Sequence, residues 1–321
     1  MAIVNNNLVA KIERLKKQKN AIILAHYYTL NDVQDIADVV GDSLALAQEA
    51  EHLQADIVVM CGVRFMAETV KILAPNTKVL LPDWQAGCSL AESCQLADFE
   101  QFKQQHPDHI VVSYVNTTAD IKSLTDICCT SSNALAIVNS LPKDAKIIFA
   151  PDKNLGNYIN AQTGRNMLLW DGACHVHEQF SVESIVELKQ QYPQAKVLAH
   201  PECKKQVLLL ADKIGSTAAL LAYTQQSPST QFLIATEAGI LHQMQKLSPQ
   251  KQFIPVPPVD STCGCTDCNY MKLNTLQKIA DVLEHETNEI LMDENLRQQA
   301  QKSIVRMLKI SNNNGNLLNK K

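Results

Sequence analysis

Three consecutive stretches of this 321-residue chain repeat one order of apolar runs and polar residues, and that repetition restricts the fold more than any other feature. The first stretch has an apolar run at 22–25 leading to His26 and Tyr28, a Gly41-Asp42-Ser43 break, further apolar runs at 56–60 and 79–81, and then Cys88. The second runs through 110–113 to Tyr114 and Asn116, passes Ser131, repeats its runs at 146–150 and 167–170, and ends at Cys174. The third runs through 197–199 to His200 and Glu202, then Thr217, 231–235 and 252–256, and ends at Cys268. Seventeen residues separate His26 from Ser43, Tyr114 from Ser131 and His200 from Thr217. The copies start 88 and 86 residues apart, and the third is lengthened near its Pro-rich 255–258 segment. Regular alternation of strand and helix makes any α/β chain look self-similar, but here polar residues fall in register as well as apolar ones.

Repeats of this length are whole α/β units, longer than the period of a solenoid. Within the first, residues 8–19 read as a helix and 21–25 as a strand. Asn31 caps a short helix over 32–40 that Gly41 stops, and Ser43 caps a helix over 44–53. A strand at 55–61, a helix at 63–73 and a strand at 78–82 complete the unit. The second unit repeats this order with Thr118 and Ser131 or Ser132 as caps. The third uses helices around 205–214 and from Thr217. Strands separated by helices imply parallel sheets with right-handed crossovers. The expected fold is therefore α/β: three similar three-layer units with parallel sheets around a pseudo-threefold axis, with the active site at the centre. The units span 1–92, 93–178 and 179–270. A helical region at 271–311 packs on them, and the Asn-rich 312–321 reads as a disordered tail.

Composition excludes several classes. Hydrophobic residues at 46% suffice for buried cores, and a net charge of −4 without a long basic run gives no reason to expect nucleic acid. Residues 1–7 lack the order of a signal peptide and no apolar run approaches membrane-spanning length, so no membrane association is expected and the expected location is the cytoplasm. Ten cysteines in a reducing compartment then call for burial, metal or catalysis rather than disulfides.

Ligands of parallel α/β units bind at the carboxyl ends of strands and the amino ends of the following helices. The repeated polar residues fall at those places. Cys88, Cys174 and Cys268, one per unit, could hold a cluster or a single metal with one coordination position open. Cys61, Cys94, Cys128, Cys129 and Cys203 have no equivalents in all three copies and read as small buried hydrophobes. The run Cys263-Gly-Cys265-Thr-Asp-Cys268 lacks a second pair for a four-ligand zinc site. Ser43, Ser131 and Thr217 at helix starts favour an anionic ligand, although capping explains each singly. His26, Tyr114 and His200, with Tyr28, Asn116 and Glu202 two residues on, offer donors, acceptors and acid–base groups. His175 and His177 at strand spacing could share a face and bind a metal, or serve as donors behind a ligand cysteine. No glycine-rich nucleotide-binding fingerprint is present.

Taken together, the motifs HYY, VGDS, CGVRFMAE, AGCSLA, YVN, DICCTSSN, PDKNLG, CHVHE, HPEC, IGST and CNYMKLNTL, in this order from about residue 21 to 283, resemble those of the quinolinate synthases. The resemblance implies three α/β domains around one 4Fe–4S cluster per chain, with Cys88, Cys174 and Cys268 as its ligands. It implies that His26, Ser43, Tyr114, Asn116, Ser131, His200, Glu202 and Thr217 contact substrate, with Tyr28, Glu202 and His200 moving protons. The implied reaction joins iminoaspartate to dihydroxyacetone phosphate in de novo NAD synthesis, and L-aspartate oxidase is the implied transient partner. The Cys-x-Cys-x-x-Cys run departs from the Cys-x-x-Cys-x-x-Cys of many relatives. A zinc-dependent hydrolase and a non-catalytic iron–sulfur sensor are the competing classes.

Overall fold

The computed structural model describes residues 2–259 and 266–318. Its twelve strands form three sheets of four. The first holds β1 (Ala21–His26), β2 (Val39–Gly41), β3 (Ile57–Cys61) and β4 (Lys78–Leu80). The second holds β5 (Ile110–Tyr114), β6 (Ile127–Cys129), β7 (Ile147–Ala150) and β8 (Leu168–Leu169). The third holds β9 (Lys196–Ala199), β10 (Lys213–Ile214), β11 (Gln231–Ala235) and β12 (Gln252–Pro255). Spatial orders are β2-β1-β3-β4, β6-β5-β7-β8 and β10-β9-β11-β12, so all three sheets share one topology. Every pairing between these strands is parallel. The repeat in the sequence is thus a repeat of sheets flanked by helices, as expected.

The register explains the seventeen-residue spacing. His26 pairs with Gly41 and Tyr114 with Cys129, while the Gly215 amide donates to the Ala199 carbonyl. In each repeat the first polar residue therefore ends or directly follows the central strand, and Ser43, Ser131 or Thr217 follows the end of its neighbour. A fourth residue is also in register: Asp38, Asp126 and Asp212 each accept a hydrogen bond from the backbone of the central strand, at Ile23, Val111 and Val197, over 2.7, 2.8 and 2.8 Å. Each pins the start of the second strand to the first. Sequence reading passed over them because a lone Asp before a strand looks like any turn residue.

Several helix boundaries differ from expectation. The short helix Asn31–Ile36 ends before β2, so Gly41 closes a strand rather than a helix. Asp42 and Ser216 supply the caps of helices Ser43–Glu51 and Thr217–Gln226, through the amides of Ala45 and Ala219, and Ser43 and Thr217 are the first helical residues. Helix Ala134–Asn139 starts three residues after Ser131, which stands in the preceding turn. Thr118 does cap its helix, through the Ile121 amide. The region expected as one helix from 205 to 214 divides into helix Lys205–Leu208 and β10.

The chain folds into two compact units, 1–88 with 268–298, and 89–267 with 299–321. In the first, helix Leu276–His285 buries Leu276, Ile279 and Leu283 with Ile12 and Leu15 of helix Ala2–Gln18 and with Ile23 and Val59 of the sheet. Each such side chain removed from water contributes about 1.5–3 kcal/mol. The second unit holds the other two sheets, with cores around Phe99, Val111 and Ile148 and around Phe180, Val197 and Leu233. The C-terminal region breaks at left-handed Glu286 and Asn288, and a last helix, Glu294–Leu318, carries helical backbone through most of the segment expected to be disordered. Among the described residues no helix is long and apolar enough to cross a membrane.

Candidate active site

In the second unit, the carboxyl ends of β5, β6 and β9 bring sequence-predicted residues together. His200, 2% exposed, places Nε2 3.2 Å from Ser131 Oγ. Glu202, also 2% exposed, lies with Oε2 2.8 Å from His177 Nδ1 and 3.9 Å from His200 Nδ1, and it accepts a hydrogen bond from the Tyr114 side chain. Burial opposes charge on Glu202, but the imidazoles of His200 and His177 and the bonds from His177 and Tyr114 hold its carboxyl down at about 2. Asn116, two residues beyond Tyr114, has a buried Oδ1 that meets no hydrogen-bond partner. A buried acceptor of this kind costs about 1–3 kcal/mol unless a ligand satisfies it.

His177 occupies the middle of this cluster. Its Nδ1 is 3.2 Å from Cys174 Sγ, its Nε2 is 3.0 Å from Thr236 Oγ1, and its ring stacks on His200 with centroids 4.6 Å apart. One donor atom each from Cys174, His177 and Glu202 lies within 4.8 Å of the others. Of the two roles the sequence offered for His175 and His177, His177 takes that of a donor behind Cys174, because the segment turns into a 3₁₀ helix at His177–Gln179 instead of continuing as a strand. His175 instead places Nδ1 2.8 Å from Ser89 Oγ, and burial, then His177, lowers its pKa.

Asp152 is a functional candidate that the sequence reading missed. Fully buried, it caps helix Lys153–Thr163 through the Leu155 amide and accepts a bond from the Cys174 amide over 3.1 Å. Burial, then the neighbouring Glu202 carboxylate, raise its pKa well above the ordinary range. The two carboxyls of the pair are thus pushed in opposite directions. The Asp at the end of an apolar run in PDKN was the available signal, since it is a helix-start pattern.

In the first unit, His26 ends β1 and accepts the Tyr28 amide at Nδ1 over 3.2 Å, with the two rings edge-on at 4.5 Å. Lys272, in the short helix Asn269–Lys272 that follows Cys268, donates to the Tyr28 carbonyl over 2.8 Å. Ser43 is half-buried at its helix start. Tyr28 is therefore tied to the segment that carries Cys268.

The cysteines divide by burial. Of the eight described, Cys61, Cys94, Cys128, Cys129 and Cys203 are buried, and Cys88, Cys174 and Cys268 are partly exposed. Burial raises the thiol pKa of all five buried residues, that of Cys94 to about 12. They stay protonated and are poor metal ligands. The three that remain are those singled out by the repeat. Cys263 and Cys265 lie outside the described residues.

A family profile described as Quinolinate synthetase A protein matches residues 10–309. The protein named quinolinate synthase from Synechocystis sp. is 57% identical over 305 residues, covering 95% of this chain and 96% of its own length. The one from Nostoc sp. is 56% identical over 306 residues, covering 95% and 94%. The one from Chloroherpeton thalassium is 55% identical over 305 residues, covering 95% of both. With nearly its whole length matched at this identity, the chain belongs to the quinolinate synthase family.

Proposed function

We propose that the chain condenses iminoaspartate with dihydroxyacetone phosphate to give quinolinate, releasing phosphate and two waters, as a cytoplasmic step of NAD biosynthesis. The observation that carries this reading is the line Ser131–His200–Glu202–His177–Cys174, buried at His200, Glu202 and His177, which joins a turn hydroxyl, a proton acceptor and a thiol at the ends of two sheets. Cys88, Cys174 and Cys268 would hold one 4Fe–4S cluster; three partly exposed thiols against five buried ones fit that donor set. When bound, such a cluster supplies a Lewis acid at the iron that no cysteine holds.

The chain's own residues supply binding and proton transfer. Ser43 and Thr217 at helix amino ends, which favour negative charge, and Ser131 in the turn before its helix meet the carboxylates and phosphate. His26, Tyr114 and Asn116 orient the polar ligand, and the buried Asn116 Oδ1 gains its missing partner. Glu202 takes protons as the carbon skeleton is assembled. His200 and Tyr28 carry protons to and from leaving oxygens. His177 fixes Glu202, and a transient contact with L-aspartate oxidase would deliver the imine before water destroys it.

The test is iron and sulfide content, with visible and EPR spectra, on anaerobically purified protein and its Cys88→Ala, Cys174→Ala and Cys268→Ala variants. About four iron and four sulfide per chain, lost in each variant together with quinolinate formation, is the expected result. A cluster indifferent to all three cysteines would reject the ligand assignment. The close approach of Cys174, His177 and Glu202 also suits a single divalent metal. Zinc without sulfide would favour that second reading.

A further inference from the structure

Two buried side chains outside the repeat's polar set grip the loops that carry Tyr28 and Asn116. Lys122, 0% exposed in helix Ala119–Ser123, donates from Nζ to the carbonyl of Val115 over 2.8 Å and to that of Thr117. Gln34, 2% exposed in helix Asn31–Ile36, donates from Nε2 to the carbonyls of Tyr27 and Thr29 over 2.8 and 3.0 Å. The two are in register: each stands eight residues beyond the polar residue that ends the central strand, His26 or Tyr114. Each takes the carbonyls on either side of one residue, Tyr28 in the first unit and Asn116 in the second.

The third copy has Leu208 at the equivalent position. There the residue held between the flanking positions is Glu202, and Pro201 before it fixes the backbone angle that the clamp otherwise restrains. The Cys203 amide and thiol add bonds to the carbonyls of His200 and Ala235. Burying an ammonium without exposure is costly, and an apolar residue would fill the same space more cheaply. Its presence behind the loop that carries Asn116 calls for a reason besides packing.

We infer that Gln34 and Lys122 are positioning residues, which hold Tyr28 and Asn116 at the angle the reaction needs by fixing the carbonyl on each side of them. The inference rests on the proposed substrate contact of Asn116. Lys251 provides an internal control: its Nζ also grips two carbonyls, of Thr224 and Ser227, but it stands before β12, at the opposite end of the strands.

The experiment measures thermal midpoint, KM for dihydroxyacetone phosphate and kcat for Lys122→Met, Lys122→Gln, Gln34→Met, Lys251→Met and Asn116→Ala in the anaerobically purified protein. Misplacing a contact by an ångström costs up to about a hundredfold, so KM in Lys122→Met should rise roughly tenfold or more. Lys122→Gln should restore it, because glutamine performs the same task in the first unit. Lys251→Met should lower the midpoint and leave KM unchanged. Equal behaviour of Lys122→Met and Lys251→Met, or no rescue by glutamine, would overturn the inference. If Lys122→Met does not fold, Gln34→Met must lower kcat at a folded midpoint, and an unchanged kcat is equally fatal. Unchanged KM in Asn116→Ala sinks the substrate contact itself. Raised KM there beside unchanged KM in Lys122→Met sinks the clamp alone.

Discussion

Glu202 is the residue whose surroundings say most about its work. A carboxylate this buried keeps its charge only because His200, His177 and Tyr114 face it, which leaves it unprotonated and able to accept a proton at a fixed place. Replacing it with glutamine keeps the shape and the bond from His177 but removes the proton acceptor. Glu202→Gln should lower kcat by at least about 10²-fold with iron and sulfide content unchanged. Full activity in that variant would remove the base assignment. At this scale the sequence showed which positions recur in three copies, and it showed little of what has no equivalent. His177 has no counterpart in the other copies, and Asp152 has an acidic one only in the third, Glu237, so repetition over three copies could not select them. The direction in which His177 points depends on a 3₁₀ turn that strand-like spacing does not announce.

At the scale of the element, the seventeen-residue spacing is a strand, a short helix and a strand folded back so that two carboxyl ends meet. Apolar periodicity made the strands and most helices visible. The misplacements cluster where one residue decides a boundary. Gly41 looks like a helix stop because glycine so often is one, whereas the structure uses it for close approach: a Cβ there would lie 2.9 Å from that of Ala45. Gly215 stands in the same place in the third repeat, where an added Cβ would lie 3.0 Å from that of Ala219. The second unit carries Cys129 instead, and there the next helix starts farther on, at Ala134. Gly41→Ala should thus push helix Ser43–Glu51 off the sheet end and cost about 1–3 kcal/mol, read as a lower denaturant midpoint. A midpoint unchanged from wild type would show that the helix start gives way freely. The same displacement moves Ser43, so weaker substrate binding should accompany the loss of stability.

Across the whole molecule, three sheets of one topology are distributed over two compact units, and the first unit is closed by a segment nearly two hundred residues away in the sequence. The sequence suggested that the C-terminal helices pack on the outside of the repeats; it could not show that one of them completes the core of the first, because an amphipathic stripe does not name its partner. Leu283, fully buried among Ile12, Leu15 and the first sheet, tests this. Truncating it to alanine removes the transferred apolar surface and leaves a cavity, a loss of about 2–5 kcal/mol. In a chain of two units that loss need not be shared by all of it. Hydrogen exchange should report weaker protection at Ile23 and Val58, in the central strands of the first sheet, with protection at Ile148 and Leu233 of the other two retained. Equal loss in all three sheets would mean that the molecule opens as one cooperative body. Loss in none would mean that the helix Leu276–His285 merely covers a core that is already complete.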